Sequence, residues 1–211
     1  KGAIADYTNA IEIDPNHKYA YCGRGNSKAN LEDYKGAIAD YEKAIEIDPN
    51  HGDAFFGRGY SRHELEDYQG AISDYTKAIE INPNDAYAYI NRGYSRHELE
   101  DYQGSIVDYT KAIEINPNDA DAYFNRGVSK HDLKDYEGAI ADYTKAIEKD
   151  PNYGDAYHNR ALDNVNYDGC NILKDLKKAC KLGDSDSCYE YKWRKRQLGH
   201  YYRTRCGYLN R

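Results

Sequence analysis

The sequence predicts an all-α protein in which antiparallel helix pairs stack into a solenoid. Three observations carry this prediction: a fixed repeat, a helical spacing of apolar residues within each repeat, and a proline that ends each one. All five prolines of the 211-residue chain lie 34 residues apart, at Pro15, Pro49, Pro83, Pro117 and Pro151. A fixed period of about 20 to 50 residues indicates one supersecondary unit per repeat, stacked on its neighbours.

Each repeat contains two helical patterns. Apolar residues recur at steps of three and four from Ala71 to Ile81, which is the stripe of an amphipathic helix. An earlier helix is predicted from Ala54 to Leu65, with a break near Glu66. The tripeptide Asn-Pro-Asn or Asp-Pro-Asn then ends the later helix, because proline lacks an amide donor and disfavours helical geometry in the preceding residue.

Aromatic, glycine, tyrosine, alanine and proline residues stand at fixed offsets in the repeats. One repeat carries Tyr89, Gly93, Tyr102, Ser105, Tyr109, Ala112 and Pro117 at these offsets. The pattern resembles the tetratricopeptide repeat (TPR) of bacterial type, and Ser105 is the one departure in this unit. The resemblance covers residues 1 to about 160. It implies a right-handed superhelix whose first helices line the concave face.

The repeat frame divides the chain into segments. We expect a half repeat at 1–17 that supplies a second helix only, and a degenerate fifth unit at 154–188. Between them lie four full units, at 18–51, 52–85, 86–119 and 120–153. A basic aromatic helix or tail follows at 189–211. Because the chain starts in mid-repeat and has no methionine, we expect it to be an excerpt of a longer protein, cytoplasmic or else periplasmic or secreted.

Four of the five cysteines fall near the C-terminus. Residues 178–188 resemble the Sel1-like repeats of bacterial cysteine-rich proteins, in which cysteines eight residues apart are bonded. This resemblance implies a short C-terminal cap with a Cys180–Cys188 disulfide. Reduced thiols are the alternative, and a zinc site is disfavoured because the chain has no CxxC pair or suitably spaced histidine. Cys22 stands alone and is expected to be inert.

The net charge of −7 conceals an asymmetry between the two ends of the chain. Residues 189–211 carry seven basic residues and one acid, whereas residues 1–188 are strongly acidic. The basic segment could contact nucleic acid or an anionic surface, with its aromatic residues as stacking groups. We favour a closing helix in which Tyr189, Trp193 and Leu198 cover the last apolar residues of the stack.

The concave face implied by the resemblance supplies the candidate partner-binding residues. They are Tyr19, Phe56, Tyr60, Tyr87, Ile90, Asn91, Tyr94, Phe124, Asn125 and Asn159. Carboxylates such as Asp53 and Asp121 edge this aromatic surface, so the predicted partner is a protein or peptide segment that is neutral to basic. The three asparagines either hold a peptide backbone or, as the equal alternative, solvate the groove or bridge neighbouring helices.

One partner class is disfavoured. Family members that clamp the C-terminal carboxylate of heat-shock chaperones place Lys, Asn and Arg in these columns. This chain has Tyr19, Asp53 and Phe56 at such positions. We therefore do not expect a chaperone C-terminal carboxylate as partner.

Two repeated columns invite functional interpretations. His63, His97 and His131 occur once per repeat, about 10 Å apart by helix packing, which is too far for one metal ion. A surface role is predicted for them. An arginine column that includes Arg58 matches an aspartate column that includes Asp74, so we interpret both as structural.

The sequence contains no signature of catalysis. GxSxG, a phosphate loop, HExxH and a Cys–His pairing are all missing from it. We therefore predict a non-catalytic protein-interaction scaffold without catalytic residues, cofactor or metal. The alternative is that these residues form an accessory or regulatory region of a larger protein, including an enzyme.

Overall fold

The structure, a computed structural model, describes residues 2–164 and 169–197. Every regular element in these residues is helical, which confirms the all-α prediction. The helices are α1 (Gly2–Ile13), α2 (Lys18–Ala29), α3 (Tyr34–Ile47), α4 (Gly52–Glu64), α5 (Tyr68–Ile81), α6 (Ala86–Glu98), α7 (Tyr102–Ile115), α8 (Ala120–Asp132), α9 (Tyr136–Lys149), α10 (Gly154–Asp163), α11 (Gly169–Lys181) and α12 (Ser185–Gln197).

The helices belong to two compact units. Unit 1 is Lys1–Asn116 and contains α1 to α7, and unit 2 is Pro117–Arg211 and contains α8 to α12. In unit 1, helices α2, α4 and α6 each pack on the helix that follows, while α3 and α5 also pack on the next pair. Helix α2 contacts α4 and α4 contacts α6, so the first helices lie side by side on one face of unit 1.

An aspartate begins the second helix of each full repeat. The Asp33 carboxylate accepts a hydrogen bond of 3.0 Å from the Gly36 amide, and Asp67 and Gly70 repeat this cap in the next unit. A Cβ at Gly36 would overlap the capping carboxylate, which explains why glycine recurs at this position. The preceding turn places Glu32, Glu66, Glu100 and Lys134 at φ of 60–63°.

The core follows the stack from repeat to repeat. Tyr41, Tyr75, Tyr109 and Tyr143 are at most 1% exposed and lie among alanines that are almost fully buried. A Cβ added to Gly25 would lie 2.8 Å from the Tyr41 ring, so glycine on the first helix makes room for tyrosine on the second. The two helices of a repeat therefore pack closely because a small residue on one faces a large residue on the other.

The C-terminal helices depart from the predicted packing. Helix α12 begins at Ser185, ahead of the predicted boundary at residue 189. The prediction that Tyr189 and Trp193 cover the end of the stack is wrong, since these side chains are 72% and 48% exposed. Tyr191 packs there instead, against the cluster of Ala161, Ile172 and Leu176, because it lies on the opposite side of the helix. Leu198, the third residue of that prediction, lies outside the described residues.

A disulfide joins the ends of α11 and α12. Cys180 and Cys188 are bonded, with their Cα atoms 4.5 Å apart. The bond spans the short turn at Gly183, whose φ of 107° favours glycine. It therefore ties two helices that already pack on each other.

Candidate functional site

The arginine column is part of the scaffold. Arg58 donates hydrogen bonds from Nε and Nη2 to the two carboxylate oxygens of Asp74, at 2.9 and 2.7 Å. Arg62 donates a third, at 2.7 Å, to the same carboxylate, which is 2% exposed. Equivalent pairs join Arg24–Asp40, Arg92–Asp108, Arg126–Asp142 and Arg160–Asp175. The structural interpretation of this column is confirmed, and these cations are not available to bind phosphate.

The histidine column joins successive repeats. His63 Nδ1 lies 3.0 Å from Ser95 Oγ, one repeat further along unit 1. In unit 2, His131 Nδ1 lies 2.6 Å from Asp163 Oδ1, because aspartate replaces serine at this position. Burial raises the pKa of Asp163, and His131 opposes that shift. The predicted surface role is therefore incomplete for these two histidines, since each also contacts a helix of the next repeat.

A groove opens beside α2, α4 and α6 in unit 1, with a volume of about 620 Å³. Its lining on α4 is a stripe at steps of three and four: Asp53, Phe56, Gly57 and Tyr60. The remaining lining residues are Asn26, Ala29, Asn30, Tyr41, Asp85 and Tyr87. We call these ten residues the unit-1 groove.

Gly57 is the residue that shapes the unit-1 groove. A Cβ at this position would lie 2.5 Å from Cζ of Tyr41, so the tyrosine ring lies directly against the backbone of α4. The Tyr41 hydroxyl then donates a 2.7 Å hydrogen bond to Asn26 Oδ1 on α2. In the next repeat Asn91 occupies the position of Gly57. Gly23 makes the equivalent contact with Tyr7 one repeat earlier, so this close glycine–tyrosine packing ends after Gly57.

Two tyrosine hydroxyls bond to one carboxylate at the end of α4. The Tyr34 hydroxyl donates a 3.3 Å hydrogen bond to Glu64 Oε2, and the Tyr60 hydroxyl also bonds to Glu64. Burial, followed by the charge of Glu64, raises the pKa of both tyrosines. At neutral pH both hydroxyls are therefore protonated and donate to the carboxylate.

The predicted aromatic contacts differ in how accessible they are. Tyr19 and Tyr87 are 62% and 67% exposed, and Tyr60 and Tyr94 are 39% and 37% exposed. Ile90 is 5% exposed, so its prediction as a contact residue is wrong. Its column lies at the edge of the buried stripe on α6, where Ala88 and Tyr89 are also buried.

The predicted phenylalanines pack on core tyrosines. The ring centroids of Phe56 and Tyr75 are 5.6 Å apart, and those of Phe124 and Tyr143 are 5.7 Å apart. Phe124 also lies 4.9 Å from the Tyr153 ring. Both phenylalanines are half-buried. They can present one edge to a partner while the other face supports the fold.

The predicted asparagines hydrogen-bond to groups of the protein's own helices. Asn91 Nδ2 donates to the Tyr87 carbonyl at 2.8 Å, and Asn125 Nδ2 donates to the Asp121 carbonyl at 2.6 Å. Asn159 bonds to the Tyr143 hydroxyl. Of the two interpretations, these contacts favour asparagines that bond to the helices of the protein itself.

Sequence reasoning missed several groove residues. Asn26, Asn30, Tyr41 and Asp85 line it but were not among the predicted contacts. Asp85 begins α6, where its Oδ1 accepts hydrogen bonds from the amides of Tyr87 and Ala88. Glycine at residue 57, in a column that becomes asparagine at residue 91, was the signal in the sequence, because it leaves no side chain beside the buried Tyr41.

The described residues contain neither a metal-binding cluster nor a membrane-spanning helix. No three His, Cys, Asp or Glu side chains among residues 2–164 and 169–197 come together in a way that could hold a metal ion. No helix in that part of the chain is both long and apolar enough to cross a membrane. Cys22 is buried, and burial raises the pKa of its thiol to about 11.

Stacked helix pairs with one groove-lining helix per pair define a helical repeat protein. Family models named tetratricopeptide repeat match residues 19–51, 120–153 and 40–73, and one named TPR repeat matches 59–100 and 93–133. The matches together run without a gap from residue 19 to residue 153. The chain therefore belongs to the tetratricopeptide repeat family. The family-model matches end at residue 153, before the C-terminal cap. The likeness of that cap to Sel1-like repeats stays a prediction.

Solved structures share this fold. YrrB, described as a TPR protein with an unusual peptide-binding site, has a TM-score of 0.74 at 24% identity, over 88% of this chain and 97% of that one. MamA has a TM-score of 0.71 at 26% identity, over 78% and 97%. The first TPR of Spaghetti (RPAP3), bound to the HSP90 peptide SRMEEVD, has a TM-score of 0.55 at 25% identity, over 56% and 93%. Comparison with curated protein sequences gives no match.

Proposed function

We propose that this chain is a non-catalytic scaffold that binds an extended or helical segment of another protein in the unit-1 groove. The observation that carries the proposal is the exposure of Tyr87 and Tyr60 beside an open groove whose floor is glycine. Tyr87 is 67% exposed although it is large and aromatic. Exposed aromatic residues at a concave surface are typical of the residues that dominate protein binding.

The charge of the groove favours a neutral to basic segment. Asp53 and Asp85 line it, and none of its ten lining residues is Lys, Arg or His. An acidic segment would meet like charges there without a cation to pair with. The HSP90 peptide held by the Spaghetti TPR contains two glutamates and an aspartate. The groove of this chain is therefore proposed to select a different partner.

A random peptide display library tests the proposal with the full chain as bait. We expect enriched peptides whose capture falls at least about five-fold in Tyr60→Ala or Tyr87→Ala, since hot-spot aromatics contribute above about 1 kcal/mol. Tyr189→Ala is the matched control, because Tyr189 is 72% exposed but lies on α12. Equal loss in the control, or no loss in the groove variants, would place peptide binding elsewhere.

A second candidate function is binding of single-stranded nucleic acid by α12. Tyr189, Lys192, Trp193 and Arg196 share one exposed face of this helix at steps of three and four. Aromatic rings for base stacking beside cations for phosphate are the usual combination for such binding. The helix has no apolar stripe suited to a membrane interface, so a lipid surface is less favoured.

Fluorescence anisotropy with labelled oligo(dT) tests this second candidate. We expect affinity to fall steeply as salt rises, and Trp193→Ala to weaken binding by at least about five-fold. Tyr87→Ala is the control and should bind the oligonucleotide like the wild type. Undetectable binding at low salt would exclude this function.

A further inference from the structure

The scaffold holds its own arginines by a contact of three parts. The guanidinium carbon of Arg58 lies 5.5 Å from the Phe55 ring centroid, while the same guanidinium pairs with Asp74. An aromatic ring and a carboxylate thus share one planar cation. The same ring contact recurs at 5.5–5.7 Å for Arg24, Arg92, Arg126 and Arg160.

The unit-1 groove also brings aromatic rings and carboxylates together, but its ten lining residues include no cation. Asp53 lies in the first turn of α4, one turn before Phe56 and Gly57. Asp85 begins α6, and both hydrogen bonds of its cap use Oδ1. Within residues 2–164 and 169–197, Asp53 and Asp85 form no ion pair. The groove is therefore an aromatic, acidic surface whose charge is not balanced by the residues that line it.

We propose that the unit-1 groove binds an arginine side chain of the partner segment. The guanidinium stacks on the exposed ring of Tyr87 or Tyr60 and pairs with Asp53 and Asp85, and the apolar stem of the arginine packs on Phe56 beside Gly57. Arginine fits better than lysine because its planar guanidinium stacks on rings and pairs with carboxylates through two parallel hydrogen bonds. A volume of about 620 Å³ exceeds one side chain, so flanking residues of the segment fit as well.

This inference rests on the proposed function but names a specific occupant. Its first test is an NMR titration of the ¹⁵N-labelled 211-residue chain with N-acetyl-arginine amide. We expect saturable shifts centred on the Gly57 amide. N-acetyl-citrulline amide has a side chain of similar planar shape but no charge. N-acetyl-lysine amide has the positive charge but no planar group. Both should bind at least about five-fold more weakly, in line with one exposed ion pair or cation–π contact.

Variants assign the site to particular carboxylates. The double variant Asp53→Asn with Asp85→Asn should lower the affinity for the arginine probe by roughly ten-fold, if each exposed ion pair raises that affinity by two- to five-fold. Asparagine also caps helices, so α6 keeps its start. The matched control is Asp119→Asn with Asp155→Asn, which changes the same two repeat positions in unit 2. An equal loss in the control, or equal binding of citrulline or lysine, would overturn the proposal.

The two proposals fail in distinguishable ways. Peptides selected by the full chain can be resynthesised with each arginine replaced by citrulline. If the peptides still need Tyr60 and Tyr87 but tolerate citrulline, the scaffold function stands and the arginine site is wrong. If the arginine probe binds at Gly57 while no library peptide requires the groove, the arginine site stands and peptide binding there is wrong.

Discussion

Breaking one of the buried Arg–Asp contacts should strongly destabilise unit 1, and Asp74→Asn tests this directly. Three charge-assisted hydrogen bonds, of 2.7 to 2.9 Å, converge on the carboxylate of Asp74. The substitution removes the negative charge and turns one acceptor into a donor that faces guanidinium donors. The side chains of Arg58 and Arg62 are only 16% and 24% exposed, so water does not fully replace the lost partner.

The expected cost is about 3 kcal/mol of unfolding free energy. Removing one partner of a buried ion pair costs about 3–5 kcal/mol, and the partial exposure of the two arginines places this site at the lower end. The assay is urea unfolding followed by circular dichroism, with the midpoint and slope analysed separately because repeat arrays can unfold in parts. Glu80→Gln is the matched control on the same helix. It breaks the exposed Lys77–Glu80 pair and should cost less than about 0.5 kcal/mol.

A third variant separates the pair from the packing. This triple variant replaces Asp74 by leucine and both Arg58 and Arg62 by methionine. It removes the three charges of the contact and keeps most of the side-chain volume. Because buried ion pairs are often no more stabilising than apolar groups of similar size, this triple variant should be more stable than Asp74→Asn. The reasoning is refuted if Asp74→Asn matches the Glu80→Gln control, or if the triple variant is the least stable of the three.

Further outcomes are expected at three places in the chain. Glu66→Gly should stabilise unit 1 by up to about 1 kcal/mol in the same urea assay, because φ of 62° strains a non-glycine residue; a loss of stability would show that the turn holds no such strain. Reduction, or Cys180→Ser with Cys188→Ser, should lower the free energy needed to open α12 by about 2 kcal/mol, measured as amide exchange, with α2 amides as the unchanged reference. Cys22 should resist iodoacetamide at pH 8 until the protein unfolds, because burial raises its pKa to about 11. Stability should fall as pH rises from about 9 to 11, where the unfolded thiol ionises and the native thiol does not. Alkylation of the native protein at the rate of a free thiol would contradict this.

The repeat frame and its internal contacts could be predicted from the sequence. The spacing of prolines, tyrosines and alanines specifies which residues occupy equivalent positions, and equivalent positions make equivalent contacts. The prediction that the arginine and aspartate columns neutralise each other is confirmed for this reason. The arginine and the aspartate of each contact belong to the same helix pair, as Arg24 and Asp40 do, so a single repeat contains the contact.

The groove could not be predicted from a column alone. Its shape depends on what stands beside each residue in the neighbouring repeat: Gly57 lies against Tyr41, whereas Asn91 takes the same position one repeat later. Ile90 was wrongly assigned to the surface because helical periodicity does not distinguish the edge of an apolar stripe from its exposed flank. For α12, the apolar and charged residues are mixed around the helix, so the sequence did not show that Tyr191 would be the buried aromatic residue.

The contacts inside the repeats also determine which charges a partner encounters. The carboxylates of Asp40, Asp74 and Asp108 are nearly fully buried, and each pairs with two cations of the preceding helix. These acids and bases neutralise each other inside unit 1. The field at the surface comes instead from carboxylates such as Asp53 and Asp85, whose ion-pair partners are not found among the described residues. A substitution at Asp74 should therefore lower stability but leave the preference of the folded groove for cations unchanged. A substitution at Asp53 should weaken that preference but leave stability unchanged.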